Sequence, residues 1–524
     1  MGATEMRRSA LRRLALPVTA LIVTMLVLAP LAAPGYVLSY DMVFVPRQPL
    51  RWDLVLPSAT LPRAVPLDAL VSLASQVVPG WLLQRLALAS ILMLAAIGAG
   101  RLLPEARTGA RLVAAVAYAW TPYLAERLLL GQWGLLLAYA ALPWLAAAAL
   151  RVRAGDRRAL LPLAGWAALA AITPTGGLIA LATVVALASS RLAAGVALLV
   201  NTPWLLAVAL TEADARSDPD GVAAFAARGN DWTGTLGALL GTGGTWNAQT
   251  VLPSRTSVLA PVGTLALLAL AGYGLRELWR RWPSGAATRL TALAAGGFAV
   301  ALLGVVPGLR DLLAWLVGTM PGAGLLRDGQ KFVMPYTLLL CLLVALGAER
   351  AASRIADRTA GRVVLGAVLL LPVALQPDLA FGAGNRLRPV AYPADFAVVA
   401  RLVAADPGPV VSLPLAAYHS YPWNHGRTVL DPLPRYLDAD VLTDDRLLVG
   451  RIVVGGEDRR AAAIRQALTT GAPLADLGVR WVVVQRVVGT PANTSASLTG
   501  LRLVHDGTDL DLYENTLRRE VTTW

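Results

Sequence analysis

The sequence predicts a polytopic α-helical membrane protein with about eleven transmembrane helices, followed by a small C-terminal extracytoplasmic α/β domain. Composition is the first observation behind this fold class. Of the 524 residues, 56% are hydrophobic and 15% are charged, whereas soluble proteins average about 25% charged residues. The second observation is that apolar residues lie in long runs separated by arginine-rich gaps, which is typical of membrane spans.

The apolar runs predict a transmembrane region over residues 1–376 whose N-terminus is cytoplasmic. A span needs roughly 20 residues to cross the hydrocarbon layer, so the shorter runs are expected to recruit flanking residues. The two runs that meet at residues 173–177 could instead be half-spans. The predicted spans are 14–34, 81–100, 112–124, 134–150, 159–173, 177–190, 192–210, 257–275, 287–306, 332–348 and 363–376.

The placement of the arginines predicts the orientation. The net charge is +13, and arginine clusters occupy every second gap between apolar runs, as the positive-inside rule requires of cytoplasmic loops. Topology therefore explains the basic charge, and no nucleic-acid partner is needed. An odd number of spans places the C-terminus outside. The predicted outer segments are the loops 35–80, 211–256 and 307–331 and the C-terminal region from residue 377.

The C-terminal region, 377–524, differs in character from the rest of the chain. Helical patterns cover 394–405 and 459–470, and strand-like runs cover 410–414, 479–485 and 501–505. Asp506 and Gly507 then form a hairpin turn signal before the run 509–513. A region of this length can bury its own core, so we expect a small extracytoplasmic α/β domain.

Two residue counts exclude whole classes of site. The single cysteine, Cys341, excludes an intramolecular disulfide and a cysteine metal cluster. The single lysine, Lys331, follows Gln330 rather than glycine, so no Walker A loop is present. All three histidines lie in the C-terminal region. The two that are near each other, His419 and His425, lack a third ligand at motif spacing, so no metal site is predicted there.

Asp41 is the first acidic residue after the first predicted span. A carboxylate just beyond the hydrocarbon edge can meet a lipid-linked headgroup, where it could act as a general base or as a metal ligand. The alternative is that Asp41 caps a turn, a common role of aspartate in loops.

Glu126 and Arg127 lie in a nearly apolar outer segment between the third and fourth spans, shortly before Gln132. Ionisable groups are costly to bury there unless they pair or line a cavity. The segment is therefore either part of a site or a local ion pair at the interface, which contributes roughly 0–1 kcal/mol.

Arg327 and Lys331 precede the tenth span on the predicted outer side. Two cations there could hold a phosphate oxygen, the arginine through a bidentate fork and the lysine as a point charge. The alternative is that both side chains snorkel to the headgroups and only anchor the helix.

Three short motifs carry a family resemblance. They are Tyr40-Asp41-Met42, the segment 122–133 with Glu126 and Arg127, and the segment 326–332 with Lys331. With these motifs the chain resembles the GT-C membrane glycosyltransferases, in particular an actinobacterial branch related to the arabinofuranosyltransferase membrane core and to YfhO-like membrane proteins. The resemblance covers most of residues 10–376 as architecture.

The resemblance implies a plasma-membrane enzyme that transfers a sugar from a polyprenyl-phosphate donor to a cell-envelope glycan or lipid acceptor at the outer leaflet. Family members carry an essential acid in the first outer loop, which maps onto Asp41, and many carry a second adjacent acid where Met42 stands here. No cofactor is certain, and a divalent metal stays an open alternative.

The implied roles follow from the motifs. Asp41 is the general base, assisted by Glu126, and Arg327 and Lys331 bind the lipid phosphate. Together with Glu126, the residues Arg127 and Gln132 orient the sugar or that base. The alternative function is a non-catalytic glycolipid-handling or scaffold protein of the same architecture. A transporter ranks last because the sequence shows no internal repeat.

The predicted topology is testable with reporter fusions. Alkaline phosphatase fused at or beyond residue 377 should be active, because that region is expected outside, and fusions within 276–289 or 349–362 should be inactive. Protease added from outside should likewise digest the C-terminal region. A protected C-terminal region would contradict the eleven-span topology.

Overall fold

The structure is a computed structural model that describes residues 3–57, 61–103, 105–211, 216–489 and 496–517. It divides into two compact units. The helical unit comprises Met1–Pro30, Leu86–Leu205 and Gly221–Arg386, and the mixed unit comprises Leu31–Arg85, Leu206–Asp220 and Leu387–Trp524. The mixed unit thus combines most of the predicted C-terminal domain with much of the first predicted outer loop. Parts of the predicted outer loops (58–60 and 212–215) and of the C-terminal region (490–495 and 518–524) lie outside the described residues.

The helices and strands of the described residues follow one another along the chain. The α-helices are α1 (Ala3–Leu28), α2 (Leu67–Ser75), α3 (Gly80–Leu102), α4 (Thr108–Ala119), α5 (Pro122–Leu129), α6 (Trp133–Arg153), α7 (Leu160–Ala170), α8 (Pro174–Ala188), α9 (Arg191–Leu199), α10 (Thr202–Leu210), α11 (Asp220–Ala224), α12 (Gly234–Leu240), α13 (Leu259–Arg281), α14 (Ala286–Leu303), α15 (Leu309–Thr319), α16 (Met334–Ser353), α17 (Arg358–Leu375), α18 (Ala394–Ala405), α19 (Leu433–Tyr436) and α20 (Arg459–Thr470). The β-strands are β1 (Val410–Leu413), β2 (Tyr418–Ser420), β3 (Thr428–Leu430), β4 (Val441–Leu442), β5 (Leu447–Val449), β6 (Ile452–Val454), β7 (Trp481–Gln485), β8 (Leu501–Asp506) and β9 (Leu510–Asn515).

Several of these helices are long and apolar enough to cross a membrane, which supports the predicted membrane protein. Seven such segments occur among the described residues, and an eighth arises if α9 and α10, bent by 54° at a short break, count as one span. The seven segments are Arg13–Ala32, Gly80–Leu102, Trp133–Arg153, Leu259–Arg281, Ala286–Leu303, Gly329–Ser353 and Arg358–Leu375. The count of eleven stays a prediction.

The described residues contain fewer candidate spans than the eleven predicted, and part of this difference has a local cause. Three predicted spans correspond to helices of only 11 to 15 residues. Thr121 caps α5 by accepting a hydrogen bond from the Leu124 amide at 3.1 Å, and Pro122 occupies the first position of that helix. Thr173 and Pro174 start α8 in the same way. A Thr-Pro pair ends one helix and begins the next, so apolar runs that look continuous are broken into short helices.

Helix α16 lies at the centre of the helical unit. Of the most apolar 18-residue stretch of its span, 94% is buried, whereas the corresponding value for α17 is 17%. Helix α16 packs against α4, α13, α14 and α17. The closest approach is to α13. A Cβ on Gly274 would lie 2.1 Å from the Leu343 carbonyl oxygen, and one on Gly347 would lie 2.0 Å from the Leu270 carbonyl oxygen. Only glycine allows the two backbones to approach this closely.

The mixed unit is built on a five-stranded sheet in the order β4-β1-β7-β9-β8. Strands β4, β1 and β7 are parallel, and β9 runs antiparallel to β7 and β8. Helix α18 packs Phe396 and Val399 against one face, and α20 packs Ile464 and Ala467 against residues of the other face. The helices predicted at 394–405 and 459–470 and the hairpin at Asp506-Gly507 are therefore confirmed.

The packing of α13 on α16 generates a stability prediction. Gly274→Ala should destabilise the protein by about 1–3 kcal/mol, because the new methyl group would overlap a backbone oxygen. The matched control is Gly272→Ala on the same helix, where a Cβ meets nothing within 4 Å. That control should be neutral or stabilising by up to about 1 kcal/mol. Thermal unfolding of both variants in detergent would measure the difference, and equal melting temperatures would contradict the close packing.

Candidate functional site

Two adjacent charged residues on the short helix α5, Glu126 and Arg127, are fully buried in the helical unit. Glu126 is 1% exposed and Arg127 is 0% exposed. Buried charges persist in proteins only where partners replace the lost water. Neighbouring positions on a helix face different sides, so the side chains of Glu126 and Arg127 reach partners in two different directions.

Arg127 is held by a bidentate ion pair with Asp328. Its Nη1 lies 2.7 Å from Asp328 Oδ2 and its Nη2 lies 2.9 Å from Asp328 Oδ1. Gln132 Oε1 accepts a further hydrogen bond from Nη1 at 2.8 Å, and Gln330 Oε1 accepts one from Nη2. The planar guanidinium matches both carboxylate oxygens, which makes this one of the strong pairings in proteins. Burial by itself would raise the pKa of Asp328, but Arg127 and Lys331 lower it below its ordinary value.

Glu126 binds a loop that follows α12. Its carboxylate accepts hydrogen bonds from the Gly244 amide at 3.2 Å, from the Thr245 amide at 3.1 Å and from Asn230 Nδ2 at 3.3 Å. A Cβ on Gly243 would lie 2.8 Å from Glu126 Oε1, so a larger residue here would require the carboxylate to shift. Burial raises the pKa of Glu126 to about 7, against the opposing effects of the Thr245 hydrogen bond and the Arg127 charge.

Gln330 joins the two halves of this cluster. Its side chain is 0% exposed, and its Nε2 donates to the Gly243 carbonyl oxygen at 3.2 Å and to Glu126 Oε2 at 3.5 Å. The same amide accepts from Arg127 through its oxygen. The Glu126 loop and the Arg127 ion pair therefore form one continuous hydrogen-bonded network.

The two predicted phosphate-binding cations lie at the border of this network. Lys331 Nζ is 3.6 Å from Asp328 Oδ2, and the lysine side chain is 25% exposed. The Lys331 backbone carbonyl accepts a hydrogen bond from the Tyr123 hydroxyl at 2.9 Å. The Arg327 guanidinium lies over the Phe225 ring, 4.8 Å from its centre, which is a cation–π contact.

The structure thus brings together Glu126, Arg127, Gln132 and Lys331, four of the predicted site residues. Asp328 and Gln330 connect them, and the sequence analysis did not assign either residue to the site. A signal for Asp328 was available, since it lies three residues before the single lysine of the chain, where its carboxylate can bind that lysine.

Asp41 belongs to the mixed unit. The preceding residue, Tyr40, pairs with β3: its amide donates to the Thr428 carbonyl at 2.8 Å and its carbonyl accepts from the Leu430 amide at 2.9 Å. This pairing places Asp41 beside β2, where the Tyr418 hydroxyl donates a hydrogen bond to Asp41 Oδ1. Burial and the Asp41 charge raise the pKa of Tyr418. Met42 is a core residue with 0% exposure.

The carboxylates of the predicted site residues Asp41 and Glu126, and that of Asp328, are the groups here with the chemistry to ligate a cation. Within the ranges that the structure describes, no group of three or more His, Cys, Asp or Glu side chains is arranged to hold a metal ion. Glu126 and Asp328 bind amide and guanidinium donors instead.

The chain was compared with family models, curated proteins and solved structures, and only solved structures are similar to it. No protein-family model matches the chain, and no curated protein matches it by sequence. Among solved structures, the chain is similar to the cryo-EM structure of the arabinofuranosyltransferase AftD from mycobacteria, with a TM-score of 0.59 and 18% identity over 96% of this chain and 40% of AftD. A mutant structure of AftD gives a TM-score of 0.56 and 19% identity over 96% of this chain and 41% of AftD.

The chain spans about two fifths of the length of these neighbours, and at this identity the similarity is one of fold. AftD is a GT-C membrane glycosyltransferase. The predicted resemblance is therefore confirmed at the level of architecture: the chain has the fold of a membrane arabinofuranosyltransferase over nearly its whole length.

Proposed function

We propose that this protein is a membrane glycosyltransferase that moves a sugar from a polyprenyl-phosphate donor to a cell-envelope glycan or lipid acceptor. The observation that carries the proposal is the fold of an arabinofuranosyltransferase over 96% of the chain. Seven or eight candidate spans among the described residues support a membrane location. We further propose a multi-pass plasma-membrane protein with a cytoplasmic N-terminus, whose C-terminal domain and chemistry lie at the outer leaflet.

In the proposed reaction Asp41 is the general base. Its carboxylate takes the proton of an acceptor hydroxyl while that oxygen attacks the anomeric carbon of the donor sugar. The bond between this carbon and the phosphate oxygen breaks, and the polyprenyl phosphate leaves with the electron pair. The Tyr418 hydroxyl fixes the orientation of Asp41 by its hydrogen bond to Oδ1, a constraint that favours proton transfer.

The cluster around Arg127 supplies the cations of the proposed site. Lys331 and Arg327 bind the donor phosphate and stabilise the charge that develops on it. Arg127 is a positioning residue, because its pair with Asp328 fixes the segment that carries Lys331. Gln132 supports Arg127, and Glu126, whose pKa of about 7 allows proton exchange near neutral pH, is the second proposed acid–base residue.

One observation favours the non-catalytic alternative, a glycolipid-handling or scaffold protein. The Glu126 carboxylate binds backbone and amide groups of the protein, and both terminal nitrogens of Arg127 bind side chains of the protein. A site that has lost its chemistry would keep such a network for stability. The two readings differ in whether sugar transfer depends on Asp41 and Glu126.

The base assignment is tested by Asp41→Asn, which keeps the shape and removes the proton acceptor. Transfer of radiolabelled sugar from polyprenyl phosphate in membranes should fall roughly 10²–10⁴-fold, the usual contribution of general acid–base catalysis. The matched control is Asp53→Asn in the same unit, because Asp53 forms a surface ion pair with Arg51 and is 44% exposed. Unchanged transfer by Asp41→Asn would contradict the assignment.

The buried Glu126 predicts a pH-dependent stability. The folded-state pKa of Glu126, about 7, exceeds the ordinary value of 4.5. Its contribution to the free energy of unfolding is therefore complete below about pH 4.5 and is lost as the pH rises through 7. The loss amounts to at most roughly 3 kcal/mol. Glu126→Gln should remove this decline in melting temperatures measured from pH 5 to 8, and should also reduce sugar transfer.

The two readouts of Glu126→Gln separate its roles. An identical pH profile in wild type and variant would contradict the buried titration. A flattened profile with full transfer activity would make Glu126 a structural residue and would leave Asp41 alone as the proposed general base.

A further inference from the structure

A second charged cluster of the helical unit lies where the ends of α6, α8 and α14 meet, and the proposed reaction does not use it. The hydroxyl oxygen of Ser189, the residue after α8, accepts a hydrogen bond from Arg153 Nη1 at 2.7 Å and another from Arg289 Nη1. Arg153 is the last residue of α6, and Arg289 lies in the first turn of α14. Because both arginines bind one oxygen, two guanidinium groups of like charge are held within a few ångströms of each other.

The groups that hold these two arginines are electrically neutral. Besides the shared hydroxyl, Arg153 Nη2 donates to the Ser284 carbonyl oxygen at 2.9 Å, and Arg289 Nη1 donates to the Ala186 carbonyl oxygen at 3.2 Å. Neither arginine forms an ion pair with any residue that the structure describes. The contacts therefore fix the positions of the two cations without neutralising their charge.

The acidic residues nearest along the chain bind other arginines. Asp156 pairs with Arg151 at 2.6 Å, and Glu277 pairs with Arg280 at 3.0 Å. The local sequence also adds further cations, because Arg157 and Arg158 follow Asp156 directly and both are exposed. The ends of α6, α8 and α14 thus carry a surplus of positive charge.

The cluster has hydrogen-bond donors that it does not use itself. Within the described ranges, Arg289 Nε and Nη2 make no hydrogen bond, and these two nitrogens form the planar fork that matches two oxygens of a carboxylate or phosphate. The Ser189 oxygen accepts from both arginines, which leaves its own hydrogen able to donate. Arg289 and Ser189 are exposed, and Arg153 is partly buried. A set of donors and positive charges without an acceptor is the complement of an oxyanion.

The surroundings of the cluster favour a lipid phosphate over a soluble anion. Helices α6 and α14 are candidate spans, so their ends are expected at the level of the headgroups. Trp279 donates to the Thr288 hydroxyl of α14 at 3.3 Å, and tryptophan is enriched at this level of a membrane. Val185 and Leu192, within four positions of Ser189, are 56% and 63% exposed. Acyl chains next to the bound phosphate would cover these apolar side chains.

We propose that this cluster binds an anionic phospholipid, whose phosphate is held by the fork of Arg289, by Arg153 and by the Ser189 hydroxyl. Basic pockets between transmembrane helices are a common site for such headgroups. The three contributing segments all belong to gaps that the sequence assigns to the cytoplasmic side, so the lipid belongs to that leaflet. Its phosphate would neutralise the paired cations and join the ends of three helices. The inference does not rest on glycosyl transfer.

The test measures lipid binding to the full chain by native mass spectrometry in a neutral detergent. The probes are phosphatidylglycerol and phosphatidylcholine with identical acyl chains, and ammonium phosphate is the soluble competitor. Phosphatidylglycerol should bind roughly fivefold more tightly than phosphatidylcholine, or better, because the zwitterionic head brings its own cation. An equal concentration of ammonium phosphate should leave the lipid bound. Equal affinity for the two lipids, or displacement by ammonium phosphate, would overturn the proposal.

Variants distinguish a built site from general attraction to a basic surface. Arg289→Lys keeps the charge but lacks the fork, and Ser189→Ala removes the shared hydroxyl. Each should weaken phosphatidylglycerol binding roughly fivefold or more while phosphatidylcholine binding stays unchanged. The matched control is Arg362→Gln, which removes an exposed arginine of α17 on the same predicted side and should leave the affinity unchanged.

The comparison between these variants has a clear contrary outcome. Wild-type affinity in Arg289→Lys and Ser189→Ala, or an equal loss in Arg362→Gln, would reduce the effect to the net positive charge of that side and overturn the proposal. If one of the two site variants does not fold, the other variant and the lipid comparison on the wild type decide the question.

Discussion

The buried ion pair between Arg127 and Asp328 is the interaction on which the organisation of the helical unit depends. Removing two charges from water costs more than their attraction returns unless further hydrogen bonds satisfy the remaining atoms. Gln132 and Gln330 supply such bonds to Arg127. Because the pair joins α5 to the segment just before α16, it fixes where the central helix of the unit begins.

Glu126 extends this organisation to a second segment. It follows from the geometry of a helix that residues 126 and 127 point to different neighbours. One binds the loop at 244–245 and the other binds Asp328, with Gln330 between them. A helix of eight residues therefore holds two loop segments that are far apart in sequence. Burial raises the pKa of Glu126, because the charged carboxylate loses its contact with water.

Local patterns in the sequence predicted much of this structure. The helices at 394–405 and 459–470 and the hairpin at 506–507 were predicted because periodicity and turn residues are local signals. The apolar runs predicted the membrane spans for the same reason, although Thr-Pro pairs divided some of them into short helices. The assignment of Leu31–Arg85 to the mixed unit was not predicted, since it depends on pairing between residues such as Tyr40 and Thr428 that no local pattern encodes.

In the candidate site, too, the sequence predicted individual residues but not their distant partners. Residue types and their position beside apolar runs singled out Asp41, Glu126, Arg127 and Lys331, because ionisable groups at a membrane boundary are rare and costly. Their partners, Asp328 and Tyr418, are separated from Arg127 and Asp41 by 201 and 377 positions, respectively, and a sequence alone gives no means to pair them.

These partners give the two predicted catalytic carboxylates different environments. Glu126 is enclosed by the protein, and its carboxylate accepts hydrogen bonds from loop amides, an arrangement that suits holding a loop. Asp41 is only partly buried and accepts a hydrogen bond from the Tyr418 hydroxyl, an arrangement that suits direct contact with a substrate hydroxyl. Because the environment of a carboxyl group sets its chemical role, the proton abstraction proposed for Asp41 fits its partly exposed position, and the enclosed Glu126 fits the proposed role of a second acid–base residue that also holds the loop.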